Sequence, residues 1–338
     1  MNITQAIQLL VSGTDLNRQQ MTTVMRQIMT GDATDAQIGG FLVGLSAKGE
    51  TIDEITAAAT VMRELSSKVE LAPEGLIDTC GTGGSKSGVF NVSTASAIVI
   101  AAAGGRVAKH GNRSITSKSG SADVLEAAGV KLGISPEGVA ACVDKLGVGF
   151  MFAQAHHSAM RHASTARKEL VGVRTIFNCL GPLTNPAAAP NQVVGVFADD
   201  LLQTFARVLR ELGSNNVLVV RSEDGLDEFS VAEPTKVVRL KDGEITEFSV
   251  DPDAYGVAGK LEDVVAETVD ESLALINAAF SGEQTSAANM IALNAGAALM
   301  MLGITADIAS GIALAREVMS NGKAAATFAA LAELSQQY

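Results

Sequence analysis

Apolar positions recur at helical spacing in the first part of the chain, then change to alternating strand and helix runs beyond Pro73. From Leu16 to Met29, the residues Met21, Val24, Met25, Ile28 and Met29 share one stripe, and Gly31 ends it. Thr34-Asp35 caps a second helix carrying Ile38, Phe41, Leu42 and Leu45, which stops near Gly49. Thr51-Ile52-Asp53-Glu54 opens a third, with acids where the helix dipole favours them, and buries Ile55, Ala58, Ala59, Met62 and Leu65. The later runs are 76–79, 93–103, 106–109, 121–128, 136–146, 148–152, 193–197, 201–212 and 217–220. Their alternation predicts an α/β fold with a mainly parallel central sheet and helices on its faces.

From about 156 to 167 the pattern is helical again, and it leads through Thr175-Ile176-Phe177-Asn178 into the Pro-rich loop Gly181-Pro182-Leu183-Thr184-Asn185-Pro186. This stretch is expected to return and pack on the first helices. The stretch from about 269 onward reads as helices, with 287–301 the most apolar. The predicted organisation is a small N-terminal α-helical domain, 1–71, joined by a returning segment near 160–188 to a large α/β domain, 72–338. Ligands of such sheets gather at the carboxyl ends of the strands, where the polar loops fall.

With 338 residues the chain can bury a large core, and its apolar fraction of 47% with no Trp suits close helix–sheet packing. The formal charge of −12 repels nucleic acid, so any phosphate recognition must be local. Cys80, Cys142 and Cys179 show no C-x-x-C spacing, which suits reduced thiols and a cytoplasmic location. Met1-Asn2-Ile3-Thr4-Gln5 lacks the basic-then-apolar order of a signal peptide. No apolar run reaches the roughly 18–20 residues needed to span a bilayer, so no membrane partner is expected.

Candidate chemistry concentrates in three loops. Cys80-Gly81-Thr82-Gly83-Gly84-Ser85 ends an apolar run with a turn of little side chain, whose amides can approach anionic oxygens. It matches neither a P-loop, because Ser85 precedes Lys86, nor the dinucleotide fingerprint, which needs Gly at 86; a tight structural turn is the alternative. Lys109-His110-Gly111-Asn112-Arg113-Ser114 offers two cations, an amide and hydroxyls, as a diphosphate requires, against the alternative of a solvated surface loop. Between them, Asn91-Val92-Ser93-Thr94 opens an apolar helix whose N-terminus favours anions. Asp224-Gly225-Leu226-Asp227-Glu228 is either a solvated acidic turn or a pair of carboxylates turned toward divalent cations. Asp251, Asp253, Gly256 and Glu262 match EF-hand spacing, but Tyr255 takes a ligand position and 245–250 reads as a strand. His156, His157 and His162 have no Cys at ligand spacing, and polar helix-face histidines are the default.

In order along the chain stand Gly49-Glu50-Thr51, Gly81-Thr82-Gly83-Gly84, Asn91-Val92-Ser93-Thr94, Lys109–Arg113, Ser119-Gly120-Ser121-Ala122-Asp123, His156-His157-Ser158-Ala159-Met160-Arg161, Arg167-Lys168-Glu169-Leu170, the 181–186 loop and Gly225-Leu226-Asp227-Glu228. This ordered set closely resembles the anthranilate phosphoribosyltransferase family over essentially the whole chain. The resemblance implies the nucleoside phosphorylase-like fold, a homodimer through the helical domain, and Mg²⁺, two ions per subunit. It implies a glycosyltransferase that moves phosphoribose from phosphoribosyl diphosphate (PRPP) to the amine of anthranilate, the second step of tryptophan biosynthesis from chorismate.

Carried onto this sequence, Gly81, Gly84, Ser85, Asn91, Val92, Ser93, Thr94, Lys109, His110, Gly111, Asn112, Arg113, Ser114, Ile115, Thr116, Ser117 and Ser121 would bind PRPP. Gly81, Asn112 and Arg167 would face anthranilate, and Ser93, Asp227 and Glu228 would hold Mg²⁺. No side chain is implied as nucleophile or general acid–base. Two departures stand out: Ser85-Lys86 where the family has Asp after Gly-Thr-Gly-Gly, and one extra residue in Leu170-Val171-Gly172-Val173-Arg174. The nearest alternatives are a pyrimidine nucleoside phosphorylase on the same architecture and a silent relative that binds nucleic acid.

Overall fold

The computed structural model describes residues 1–83, 88–113 and 119–338. Four helices open the chain: α1 (Ile3–Val11), α2 (Arg18–Thr30), α3 (Asp35–Lys48) and α4 (Ile52–Glu64). Each begins with one device. Asn2, Asn17, Thr34 and Thr51 accept the N3 amide, and Gln5, Gln20, Gln37 and Glu54 reach back to the cap amide. The α2 stripe Met21, Val24, Met25, Ile28 and Met29 is buried as its spacing requires.

The sheet runs β3-β2-β1-β4-β5-β6-β7. Its parallel part consists of β1 (Leu76–Gly81), β2 (Arg106–Gly111), β3 (Val148–Phe152), β4 (Asn191–Gly195) and β5 (Asn216–Ser222). After β1 the chain builds outward through β2 and β3, then returns to the other side of β1 with β4. The crevice at the β1 and β4 carboxyl ends is therefore a topological switch point. An antiparallel hairpin, β6 (Thr235–Lys241) and β7 (Glu244–Val250), closes the edge. Its turn residues Asp242 and Gly243 both have positive φ, 51° and 84°. That is the two-residue Asp-Gly hairpin signal, and the sequence carries it between the two strands.

One sheet face, with Val107, Leu218, Val220 and Val237, is covered by α5 (Val92–Ala102), α6 (Ser121–Ala127), α7 (Pro136–Leu146) and the C-terminal α12 (Val269–Phe280), α13 (Ser286–Met301), α14 (Ile308–Ser320) and α15 (Lys323–Ser335). The other face, with Val194, Val196, Val217 and Val219, packs on α11 (Asp200–Glu211) and shares its core with the N-terminal helices. The expected helix at 156–167 is instead three pieces: α8 (Ala153–His156), a 3-10 helix over Ser158–Ala163, and α9 (Ser164–Glu169). The break falls at His157, whose φ of −116° and ψ of 56° are not helical, and His156 is buried with Nδ1 2.6 Å from the Ser67 carbonyl. The 3-10 helix packs on α2, α9 on α3, and α10 (Phe177–Leu180) on α4. Among the described residues, no helix is long and apolar enough to cross a membrane.

Candidate functional site

The site is built where two bare strand ends meet a loop. Gly81 of β1 and Gly195 of β4 are registered partners. A Cβ on Gly195 would overlap the Asp227 carbonyl, and one on Gly81 would lie 2.6 Å from Asp227 Oδ2. Only glycine lets the loop after β5 cross both strands so closely. Asp224 Oδ2 accepts from Ser230 Oγ at 2.6 Å and Oδ1 from the Leu226 amide, while Asn294 of α13 exchanges hydrogen bonds with both main-chain groups of buried Phe229. The acidic turn is thus divided: Asp224 braces it, and Asp227 faces the strand ends. Asp227 Oδ2 accepts from the Gly83 amide at 3.0 Å, and the Thr82 amide donates to the Gly195 carbonyl at 2.9 Å.

The registered β1–β2 ladder covers Leu76–Arg106 and Ile77–Val107, and beyond it side chains join the strands. Buried Asp78 accepts from the His110 amide at 3.1 Å and from Asn185 Nδ2 at 2.7 Å. Asn185 Nδ2 also donates to the Ala108 carbonyl, which ties the Pro-rich loop to both strands. On the other side, Lys109 Nζ donates to the Thr79 carbonyl and, at 3.1 Å, to Ser93 Oγ at the start of α5. Lys109, expected as a diphosphate-binding cation of the loop, is a buried strand residue placed among acids.

Burial lowers the Lys109 pKa against the opposing charges of Asp78, Cys80 and Glu228. Burial also raises Asp78, opposed by Lys109 and its hydrogen bonds. Glu228 is pushed up to about 8, first by burial and then by the charge of Asp227, while Lys109 and the Ser93 amide pull it down. Asp227, Glu228, Ser93 and Lys109 therefore form one electrostatic cluster.

The other expected residues divide. Arg113 pairs with Asp123 at 3.0 Å and in a fork with Glu126, which holds its cation toward α6. Asn112 Oδ1 accepts from Gln154 Nε2 at 3.3 Å, and its carbonyl accepts from Ser121 Oγ. A Cβ on Gly111 would overlap Ser121 Oγ. Asn91 does not cap α5; its Oδ1 accepts from Ser119 at 2.8 Å and Ser272 at 2.9 Å. Val92 and Thr94 are buried. The His110 ring lies 5.0 Å from that of His157, and burial holds His110 well below the usual imidazole range and His157 at about 4. Gly84, Ser85, Lys86, Ser114, Ile115, Thr116 and Ser117 lie outside the described residues.

Arg167 sits on α9 with its guanidinium 4.9 Å from the Phe177 ring centroid, and burial lowers its pKa. Among the described residues, no hydrogen bond or ring contact joins Arg167 to Gly81 or Asn112. The longer connection after α9 turns at Gly172, φ 84°, and leads to Arg174, which stacks 3.8 Å above Phe197. The Phe197 amide donates to Thr82 Oγ1 at 3.1 Å. The EF-hand-like segment follows β7, and Glu262 pairs with Lys260. Among the described residues, no three His, Cys, Asp or Glu side chains cluster as a metal cage. Gly195, Asp78 and Asn185 were not singled out from sequence, because their importance depends on strand register and a contact across the fold.

Residues 73–325 match the glycosyl transferase family a/b domain and residues 4–66 its helical bundle domain, so the fold is that of a glycosyltransferase. An anthranilate phosphoribosyltransferase of Thioalkalivibrio sulfidiphilus is 56% identical over 326 residues, 96% of each chain. One of Saccharophagus degradans is 55% identical over 340 residues, 99% of each. The crystal structure of the anthranilate phosphoribosyltransferase from Thermus thermophilus superposes with a TM-score of 0.92 at 39% identity, covering 98% of this chain and 99% of that one. The chain belongs to the anthranilate phosphoribosyltransferase family. Its activity class is that of a phosphoribosyltransferase. The same fold appears in a Saccharomyces cerevisiae anthranilate phosphoribosyltransferase solved with PRPP and Mg, at 23% identity and a TM-score of 0.90, covering 99% of this chain and 98% of that one.

Proposed function

We propose that this phosphoribosyltransferase uses Mg²⁺ to transfer phosphoribose from PRPP to the amine of anthranilate, giving N-(5-phosphoribosyl)anthranilate and diphosphate. The observation that supports this best is the approach of Asp227 to Gly81 and Gly83 at the switch point, with Glu228, Ser93 and Lys109 beside it. The donor set fits magnesium: two neighbouring carboxylates and a hydroxyl, with substrate oxygens left to complete the shell. When bound, the ion offsets charge developing on the departing diphosphate.

The chain's own residues do the positioning. The Gly83 amide, which donates to Asp227, and the Ser93 amide at the α5 N-terminus, which donates to Glu228, lie beside the two acids, and that is where phosphate oxygens would gather around the metal. Lys109 holds Ser93 and keeps Glu228 closer to its charged form. Asn91, Asn112, Gly111 and Ser121 shape the polar wall, and the main chain of His110 ties that wall to Asp78. The assigned residues outside the described part enter the proposal from the family resemblance alone.

Anthranilate's aryl amine is neutral at pH 7, so it needs aim more than a base. Arg167, set over the Phe177 ring and without an acidic partner among the described residues, suits a carboxylate fork. Loss of anthranilate fluorescence on adding PRPP and Mg²⁺, with each omitted in turn, tests the reaction; no loss with all present refutes it. Arg167→Ala is expected to raise the KM for anthranilate by roughly tenfold to a hundredfold while leaving that for PRPP within about twofold. Equal changes in both constants would contradict the assignment.

A homodimer through the helical domain enters the proposal from the family resemblance alone. Sedimentation as a single chain would exclude it. All three cysteines are free, in keeping with a reducing cytoplasm.

A further inference from the structure

Asp227 does something that a metal ligand need not do: its Oδ2 accepts the Gly83 amide at 3.0 Å, an amide of the turn meant for phosphate oxygens. The carboxylate is also pressed on Gly81, where a Cβ would come within 2.6 Å of the same oxygen. The main chain on both sides is held. The Asp227 main chain lies against Gly195, and the Thr82 amide is bonded to the Gly195 carbonyl at 2.9 Å. Leu226 and Phe229, on either side of the acidic pair, are buried in the core. Among the described residues, no Lys or Arg forms an ion pair with Asp227.

A bare diphosphate entering here meets an exposed amide already engaged and a like charge beside it, and must displace one against the repulsion of the other. We propose that Asp227 is a selectivity residue: by occupying the Gly83 amide it refuses free diphosphate groups and admits them only with a divalent cation. This rests on the diphosphate and metal roles proposed above. It adds that the same carboxylate opposes the ligand when metal is absent, which makes metal and diphosphate binding strongly cooperative. Glu228 is the natural control, because it accepts from the Ser93 amide instead.

Calorimetry with PRPP, and separately with inorganic diphosphate, tests this on the full-length protein in EDTA and in Mg²⁺. In EDTA, Asp227→Ala is expected to bind both ligands about tenfold more tightly than the unaltered protein. In Mg²⁺ the order reverses, and the variant binds PRPP at least about tenfold more weakly. Asp227→Asn, nearly isosteric, should fall between them in EDTA, because its amide oxygen can still accept from Gly83 but carries no charge. It also decides the matter if the alanine variant does not fold, since tighter metal-free binding by Asp227→Asn supports the proposal and unchanged or weaker binding overturns it. Glu228→Gln should change metal-free affinity less than Asp227→Ala. Metal-free affinity that is unchanged or weaker in Asp227→Ala, or raised equally by Glu228→Gln, overturns the proposal. Failure of the unaltered protein to bind PRPP in Mg²⁺ refutes the underlying functional reading instead.

Discussion

Turnover by the double variant Asp227→Asn, Glu228→Gln is expected to fall by about a thousandfold at saturating anthranilate and PRPP, roughly 4 kcal/mol of transition-state stabilisation. Both changes keep side-chain shape, so they remove charge and metal affinity while the loop stays in place. The loop is held from elsewhere, by Asp224 on Ser230 and by Asn294 on Phe229. Glu228 is already pushed toward its neutral form by burial and by its neighbour's charge. Removing both acids therefore relieves repulsion, and the folded state should melt no lower than the unaltered protein. A loss of rate without a loss of stability is the signature of a chemical role. Single-turnover rates over a Mg²⁺ titration, alongside thermal melts, measure the two separately. Near-normal rates at limiting Mg²⁺ would exclude the assigned role.

What could be read in advance was whatever depends on near neighbours in sequence. The α2 stripe from Met21 to Met29 and the caps at Thr34 and Thr51 needed only helical periodicity and local hydrogen bonds. Strand–helix alternation was enough for the mostly parallel sheet and for the edge at which the polar loops lie. Gly81, Ser93, Lys109, Asp227 and Glu228 were visible because each sits in a short run too polar or too bare for its position. Their partners were not visible. Gly195 looks like an ordinary strand glycine until the β1–β4 register sets it under Asp227. Asp78 reads as a polar interruption in an apolar strand, and only the fold shows it bridging a gap that Asn185 helps to close. By sequence, the two cations of the 109–113 run look like loop donors. In the fold, strand pairing draws Lys109 inward and α6 claims Arg113. The helix expected at 156–167 fails for a similar reason, since burying His156 and His157 beside His110 overrides local propensity.

Lys109→Met tests how far this buried charge supports the fold as well as the site. The ammonium donates to the Thr79 carbonyl and to Ser93 Oγ, and it is the cation that opposes the raised pKa values of Asp78 and Glu228. Methionine fills a similar volume, leaves those acceptors unpaired and removes the compensating charge. A loss of about 3 kcal/mol is expected, lowering the melting temperature by roughly 5–10 °C. The loss should depend on pH in a definite direction. Both acids have folded pKa values raised above their unfolded ones, so the folded state holds more protons and stability declines as pH rises between them. Without Lys109 those values rise further, and the variant should lose stability more steeply than the unaltered protein between about pH 5 and 8. Adding Glu228→Gln removes one uncompensated acid and should restore about 1 kcal/mol or more, a coupling that a double-mutant cycle measures directly. Melting curves at pH 5, 6.5 and 8 for the four proteins carry the test. A Lys109→Met variant with unaltered melting, or one as stable at pH 8 as at pH 5, would mean that the acids do not need this cation.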